Sequence, residues 1–259
     1  MATGLLVILV GPFTRLEPFL SCADKTYEAR IVFGTATDTD DAEGSVIEEL
    51  PVPVDAMDPG FASRKIASLV GPSMQMPPRY SAIKVGGRTA HRVARQGGDI
   101  ELTPRHVTVH EATLLEIHPE SSSWLVRFRV SKGTYVRALA RDLGRAVGSA
   151  AHLAALRRVS SGPLLVGDAL TLESLEQTGV ESAFIDPLQA MEMAQVVASP
   201  DEVFAGRPID APADLVSAEG ANHAVVDMSG SLLAIYERSG TRLRPVAVFP
   251  RDPSSSEAV

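Results

Sequence analysis

A chain of 259 residues with 45% hydrophobic and 22% charged residues has the composition of a globular protein with a sizeable core and the length for one large domain or two moderate ones. Its one cysteine, Cys22, excludes an intramolecular disulfide and suits a reducing compartment, and no stretch approaches the roughly 20 apolar residues of a membrane-spanning helix. The net charge of −8 argues against a polyanionic partner, but residues 64–158 carry 16 Lys/Arg against 6 Asp/Glu, a local +10 that leaves −18 on the remainder.

A basic middle inside an acidic chain is the footprint expected of a face that meets phosphate. The plainer account is that these bases pair with acidic neighbours across the fold.

The chain opens MATGLLVILVGPFTRL, an apolar run read as a core segment. It has neither the Lys or Arg in front nor the A-x-A pattern behind that a secretory signal carries, so a cytoplasmic protein is expected. TYEARIVFG alternates Tyr27, Ala29, Ile31 and Phe33 against Glu28, Arg30 and Val32, a half-buried strand ended by Gly34. TDTDDAEG is an acidic loop, and VIEEL resumes extended structure. DPGFASRKIASL predicts a helix with Asp58 as cap, Pro59 at its first position, and Phe61, Ile66 and Leu69 inward.

MQMPPRYSAIKVGGRTAHRVARQGG begins as a proline-stiffened loop and becomes a short basic helix near residues 91–95. HVTVHEATLLEIH and SWLVRFRVS predict strands. The second sorts Trp124, Val126, Phe128 and Val130 to one face and Leu125, Arg127, Arg129 and Ser131 to the other. After the turn KGT, YVRALARDLGRAVG predicts a helix with an apolar stripe of Val136, Leu139, Leu143 and Val147. Arg137, Arg141 and Arg145 fall four apart and make a cationic ridge beside it. Thr171 caps a short helix in LTLESLEQ. The composition changes near residue 190, and Ser229-Gly230 and Ser239-Gly240 then sit at hairpin spacing. The expected organisation is a larger domain over 1–190, a small β domain over 191–250 and a disordered tail over 251–259.

Metal and nucleotide motifs are missing. DTDDAEGSVIEE resembles a calcium loop in Asp38, Asp40 and Glu49, but Ala42 and Glu43 stand where a ligand and a glycine are needed. The six histidines show no zinc spacing, and no P-loop or G-x-G-x-x-G run occurs. SKGTYVRALARDLG is more informative, because it places Tyr135 and Arg137 where a strand hands over to a helix, next to Lys132. An aromatic face beside a guanidinium suits an extruded base and its phosphate. Taken alone, Tyr135 is equally a core tyrosine and Arg137 a solvent arginine. PPRYSAIK likewise offers Arg79, Tyr80 and Lys84 either for RNA contact or for packing.

Taken in order, MATGLLVILVGPFTRL, ADKTYEARIVFGTATDTDDAEG, PPRYSAIKVGGRTAHRVARQG, KGTYVRALARDLG and HLAALRRVSSG resemble the TruB-type tRNA pseudouridine synthases over roughly residues 2–190. The C-terminal part is similar, on weaker grounds, to the small PUA-like domain that often ends such chains. The resemblance implies an α+β catalytic domain around a mixed, mainly antiparallel sheet. It implies a monomer that isomerises uridine-55 in the tRNA T-loop, with no cofactor and no metal. By the same resemblance Tyr27 stacks on the flipped base, Tyr135 contacts the target nucleotide, Leu156 lines the pocket, Arg137 pairs with a nucleophilic aspartate, and Asp41 supports the site. Charge and periodicity further suggest Arg129, Lys132, Arg141, Arg157 and Arg158 as a phosphate-facing surface.

The family's nucleophile sits in Gly-x-Leu-Asp-Pro-x-Ala-Thr-Gly, and the chain matches that motif only from its sixth symbol, as Met1, Ala2, Thr3 and Gly4. The aspartate would fall two positions before Met1. Asp24 and Asp41 occupy other family positions. Three expectations follow for the chain as written. Unless the true start lies upstream, it forms no pseudouridine, and Arg137 faces an empty carboxylate position as an unpaired cation. Alternatively, it serves as a non-catalytic tRNA-binding protein or tRNA-folding chaperone. Or, with a first strand missing, its sheet edge is left open to aggregation.

Overall fold

A computed structural model describes residues 2–80, 84–85, 88–89 and 102–250, the two short pairs by backbone alone. The basic helix expected near residues 91–95 and the tail over 251–259 lie outside the described residues. Two compact units result: Met1–Leu5, Cys22–Ser161 and Leu165–Gly167 form the first, and Leu6–Ser21, Gly162–Leu164 and Asp168–Val259 the second.

In the first unit the strands are β1 (Ala2–Gly4), β2 (Lys25–Phe33), β3 (Thr35–Thr37), β4 (Val46–Glu49), β5 (Gly71–Gln75), β6 (Lys84–Val85), β7 (Arg88–Thr89), β8 (Arg105–His118), β9 (Ser123–Val130) and β10 (Ala151–Ser161). The main sheet runs β1-β10-β2-β9-β8-β5, antiparallel except where β1 lies parallel to β10. Period-two alternation aligns Tyr27 with Phe128, Ala29 with Val126 and Ile31 with Trp124 across β2 and β9. The apolar set therefore shares one face. Two helices close that face: one over Pro59–Ala67, after a single-turn α1 at Glu17–Leu20 and so numbered α2, and α3 over Val136–Val147. Asp58 caps α2 by accepting from the Phe61 N–H at 2.7 Å.

Val136, Leu139, Leu143 and Val147 of α3 are all buried, as the stripe predicts. Gly144 lets the helix sit directly on β10, because a Cβ there would meet the Ala151 backbone nitrogen at 2.7 Å. The centre of the core is Trp124, fully buried, edge-on to Phe33 with ring centroids 4.5 Å apart and donating from Nε1 to the Ala56 carbonyl at 2.9 Å.

The opening run differs from its expected place in the core. Leu5 is buried, but Leu6, Ile8 and Val10 are 71%, 68% and 56% exposed. Gly4, at φ 91°, ends β1 against the Arg158 carbonyl, where a Cβ would collide. After the bond from Leu5 N–H to that carbonyl, 2.8 Å, the chain leaves the sheet, so hydrophobicity alone misplaces the segment.

The second unit holds β11 (Leu164–Leu165) at its border, α4 (Leu172–Thr178), β12 (Gln195–Val197), α5 (Pro200–Phe204), β13 (Ile209–Asp210), β14 (Asn222–Val226), β15 (Leu232–Ser239) and β16 (Arg242–Val248). Thr171 caps α4, accepting from the Ser174 N–H at 3.1 Å. The five-stranded sheet runs β12-β14-β15-β16-β13, with Gly230 and Gly240 at positive φ in the two hairpin turns. One face buries Val196, Val225, Tyr236 and Leu243. The other buries Ala224 and Ile235 with Leu16, Met191 and Phe249. The unit's C-terminal run begins at Asp168. Leu16 and Phe13, the latter stacked on Phe249 at 5.4 Å, bring the Leu6–Ser21 segment into this core.

Candidate active site

The site is assembled where α3 begins. The turn after β9 passes through Gly133 at φ 77° and delivers Tyr135 as the residue preceding the helix. No side chain caps this end. Instead buried Gln75, the last residue of β5, clamps the Tyr135 backbone: its Oε1 accepts from the Tyr135 N–H at 2.8 Å and its Nε2 donates to the Tyr135 carbonyl at 3.2 Å. Arg137 follows within the first turn, directed at the acidic loop.

That loop is shaped by its own hydrogen bonds. Asp40 sits at φ 61°, a conformation Asp tolerates better than most residues. The Thr37 hydroxyl donates to the Asp41 carbonyl at 2.6 Å, and the Asp41 Oδ1 accepts from the Thr39 hydroxyl at 2.6 Å and the Glu43 N–H at 3.1 Å. Backbone bonds to Leu153 of β10, 3.0 Å from Ala42 N–H and 3.0 Å to the Asp40 carbonyl, fasten it to the sheet. Asp41 Oδ2 is thereby presented to Arg137 Nη1 at 3.0 Å. The same Nη1 donates to the Thr39 carbonyl at 3.2 Å, and Nη2 donates to the Tyr80 carbonyl at 2.9 Å.

Arg137 is therefore not the unpaired cation expected from the sequence. Asp41 neutralises it, and the two side chains are 26% and 24% exposed. A guanidinium has five N–H donors, and among the described residues the Nε–H and the second Nη2–H of Arg137 have no protein acceptor. One turn on, Arg141 Nη1 pairs with Asp40 Oδ2 at 2.9 Å, and Nη2 donates to the Met76 carbonyl at 2.8 Å. Its Nε donates to Asp142 at 3.1 Å, and Arg145 also reaches Asp142, at 3.6 Å. The acidic loop and the basic ridge, separate features in the sequence, form one ion-pair ladder. Burial pushes the Asp40 carboxyl above its ordinary range despite the opposing pull of Arg141 and Arg137.

Breaking such a pair leaves a half-buried charge uncompensated. Arg137→Ala is expected to destabilise the chain by about 2 kcal/mol, less than a fully buried pair because water reaches both groups. Thermal unfolding should show a melting temperature lower by roughly 4–8 °C, and an unchanged melt would contradict this pairing.

Tyr27 and Leu156 are half-buried against the main core. Tyr27 stands opposite Phe128 on β9 and Arg158 on β10, and Leu156 opposite Ala29 on β2 and Ala2 on β1. Tyr27, Leu156 and Arg158 thus share the sheet face onto which α3 packs.

The five expected phosphate contacts do not all share it. Arg129 pairs in register with Thr26 and Arg157 with Glu28, which places both on the reverse face. There Arg129 binds Asp24 at 3.1 Å and Glu111 at 3.0 Å. Arg141 is spent in the ladder. Lys132, exposed in the turn before α3, reaches the Cys22 sulfur at 3.2 Å, and Arg158 Nε donates to the Leu5 carbonyl at 2.7 Å. Lys132 and Arg158 act instead with Lys25: burial first, then the charges of Arg158 and Lys132, push the Lys25 ammonium below its ordinary range.

Gln75, Thr39 and Asp40 were not legible as site residues, and Arg141 was legible as a cation but not as the partner of Asp40. Nothing in MQM or TDTDD distinguishes them until the chain is folded. Among the described residues no group of three or more His, Cys, Asp or Glu could hold a metal. Asp38 and Asp40 of the calcium-like loop are used internally, Asp38 Oδ1 accepting from the Ser45 N–H at 2.9 Å. Among the described residues no helix is long and apolar enough to cross a membrane.

The chain is similar to known proteins over most of its length. Residues 1–136 match the family described as TruB family pseudouridylate synthase (N terminal domain), and residues 137–196 match the tRNA pseudouridylate synthase B C-terminal domain. The tRNA pseudouridine synthase B of Streptococcus pneumoniae serotype 4 is 38% identical over 257 residues, covering 95% of this chain and 85% of its own. That of an Arthrobacter species is 36% identical over 268 residues, covering 96% and 84%. That of Opitutus terrae is 42% identical over 180 residues, covering 68% and 71%. Among solved structures, the archaeal box H/ACA sRNP Nop10-Cbf5 complex gives a TM-score of 0.64 at 21% identity, covering 94% of this chain and 72% of the matched one. A Cbf5-Nop10-Gar1 complex gives 0.63 at 22%, covering 93% and 71%. At that identity the structural likeness speaks for the fold: a mixed α+β domain on a mainly antiparallel sheet, followed by a small β unit.

Proposed function

The chain belongs to the TruB family of pseudouridylate synthases, and from that premise we propose that it serves the isomerisation of uridine-55 in the T-loop of tRNA. The observation that carries the reading is Arg137, held at the start of α3 by Asp41, Thr39 and Tyr80, with Nε–H and one Nη2–H bonded to no acceptor among the described residues.

The reaction breaks the glycosidic C–N bond, turns the uracil and closes a C–C bond. A carboxylate nucleophile divides this into smaller covalent steps. The uridine must first leave its stack. In this reading Tyr27 stacks on the extruded base, Leu156 supplies an apolar wall, Tyr135 contacts the target nucleotide, and Arg137 orients the nucleophile. Asp41 is the counter-charge that fixes Arg137. Asp41 is a poor nucleophile itself, because Oδ1 already accepts two hydrogen bonds and Oδ2 the guanidinium. The protein works as a monomer in the cytoplasm, where its substrate is.

Lys25, Lys132 and Arg158 form the cationic patch on which we place the tRNA backbone, in preference to the wider set that includes Arg129 and Arg157. Three phosphate contacts give a modest salt dependence. Affinity of the Met1 polypeptide for a T-arm stem-loop should fall roughly twentyfold between 50 and 200 mM salt, as read by gel shift. The stem-loop should also bind more tightly than an unrelated hairpin of equal length, and equal binding of the two would contradict the assignment.

A further inference from the structure

Two arginines one turn apart on α3 make the same kind of contact twice. Arg137 joins the Asp41 carboxylate to the Tyr80 carbonyl, and Arg141 joins the Asp40 carboxylate to the Met76 carbonyl. Each guanidinium ties the acidic loop to the proline-stiffened loop after β5. The second rung is the more enclosed, with Arg141 and Asp40 side chains 17% and 13% exposed against 26% and 24% for the first. Asp40 holds its place at positive φ, with its carbonyl bonded to Leu153 N–H at 3.0 Å.

We infer that Asp40 and Arg141 are positioning residues, a second rung that keeps both loops in register so that Asp41, Arg137 and Tyr80 stay aligned. The functional value of this alignment rests on the reading of Arg137 as the group that orients the nucleophile. The rung itself does not. A charged hydrogen bond joining two loops restricts both, whereas Arg137, more open to water, is poorly placed to hold them alone. Asp142 accepts from the Arg141 Nε–H at 3.1 Å, so that Nη1 and Nη2 are left for the two loops.

The test reads Arg137 directly, in the 259-residue chain and without RNA. Rotation about its guanidinium bonds is followed by nitrogen-15 NMR, with the signals assigned from Arg137→Lys. Separate Nη1 and Nη2 resonances are expected in the parent chain. Asp40→Asn and Arg141→Gln should each speed their exchange roughly tenfold. The double variant should do no more than either single, because both remove one rung. Asp40→Glu should restore slow exchange. If the neutral variants do not fold, Arg141→Lys serves in their place: it keeps the charge but lacks the planar fork, so it too should free Arg137. Slow exchange that persists in Asp40→Asn or Arg141→Lys, or additive effects in the double variant, would overturn the inference. T-arm preference of the parent chain decides the functional reading separately.

Discussion

With a segment ending in Gly-x-Leu-Asp-Pro placed ahead of Met1, the chain is expected to form pseudouridine in unmodified tRNA at least about 10⁴-fold faster than the same polypeptide with Asn in place of that Asp, the scale on which single nucleophiles act. β1 lies parallel to β10, with Ala2 beside Leu156 and Gly4 beside Arg158, so an extension of that strand ahead of Met1 would run alongside the first half of β10. In the proposed reading the added Asp pairs with Arg137, which Asp41 already holds in place. Asn in place of the added Asp should return the rate to background while tRNA affinity holds within about twofold, since phosphate contacts dominate binding. Product is read by nucleoside chromatography. Turnover by the Met1 polypeptide at the rate of the completed chain would mean that another group acts as nucleophile.

Trp124→Ala carries the largest expected cost in stability, about 4 kcal/mol. The side chain is wholly buried, and large-to-small changes of an aromatic at such a site cost roughly 3–5 kcal/mol. Its loss opens a cavity between α2 and the sheet, removes the edge-on contact with Phe33, and strands the Ala56 carbonyl that accepts from Nε1. The melting temperature should fall by roughly 8–16 °C. Trp124→Phe fills most of the space but restores no donor, so it should lie between. A shift below about 2 °C in Trp124→Ala would contradict the placement of Trp124 at the centre of the core.

Elements with strong periodicity were legible in the sequence. β2, β9 and α3 fall where alternation or the three-to-four repeat predicts, and their apolar sets are the ones buried. β5, reading GPSMQ, gives no such signal, because a sheet-edge strand tolerates proline and needs little hydrophobicity. β10 reads AHLAALRRVSS, whose Ala and Leu content hides its extended form. The opening run was misleading in the opposite direction, since apolar content alone does not say what packs on it.

The site divides in the same way. Tyr27, Tyr135, Arg137, Asp41 and Leu156 were proposed from the family resemblance. That Arg137 and Asp41 bind one another depends on a contact 96 residues apart in the chain, which no local pattern encodes. Arg129 and Arg157 show the converse. Their charge suggested a surface shared with Arg158, and the two-residue period of a strand puts them on the other side of the sheet.

Mapping pseudouridine across an unmodified tRNA after incubation with the completed chain tests the proposed activity most directly. One new pseudouridine is expected, at position 55 in the T-loop, and none in a transcript carrying cytidine there. Modification elsewhere, or none while the chain remains folded and bound to the T-arm, would contradict it.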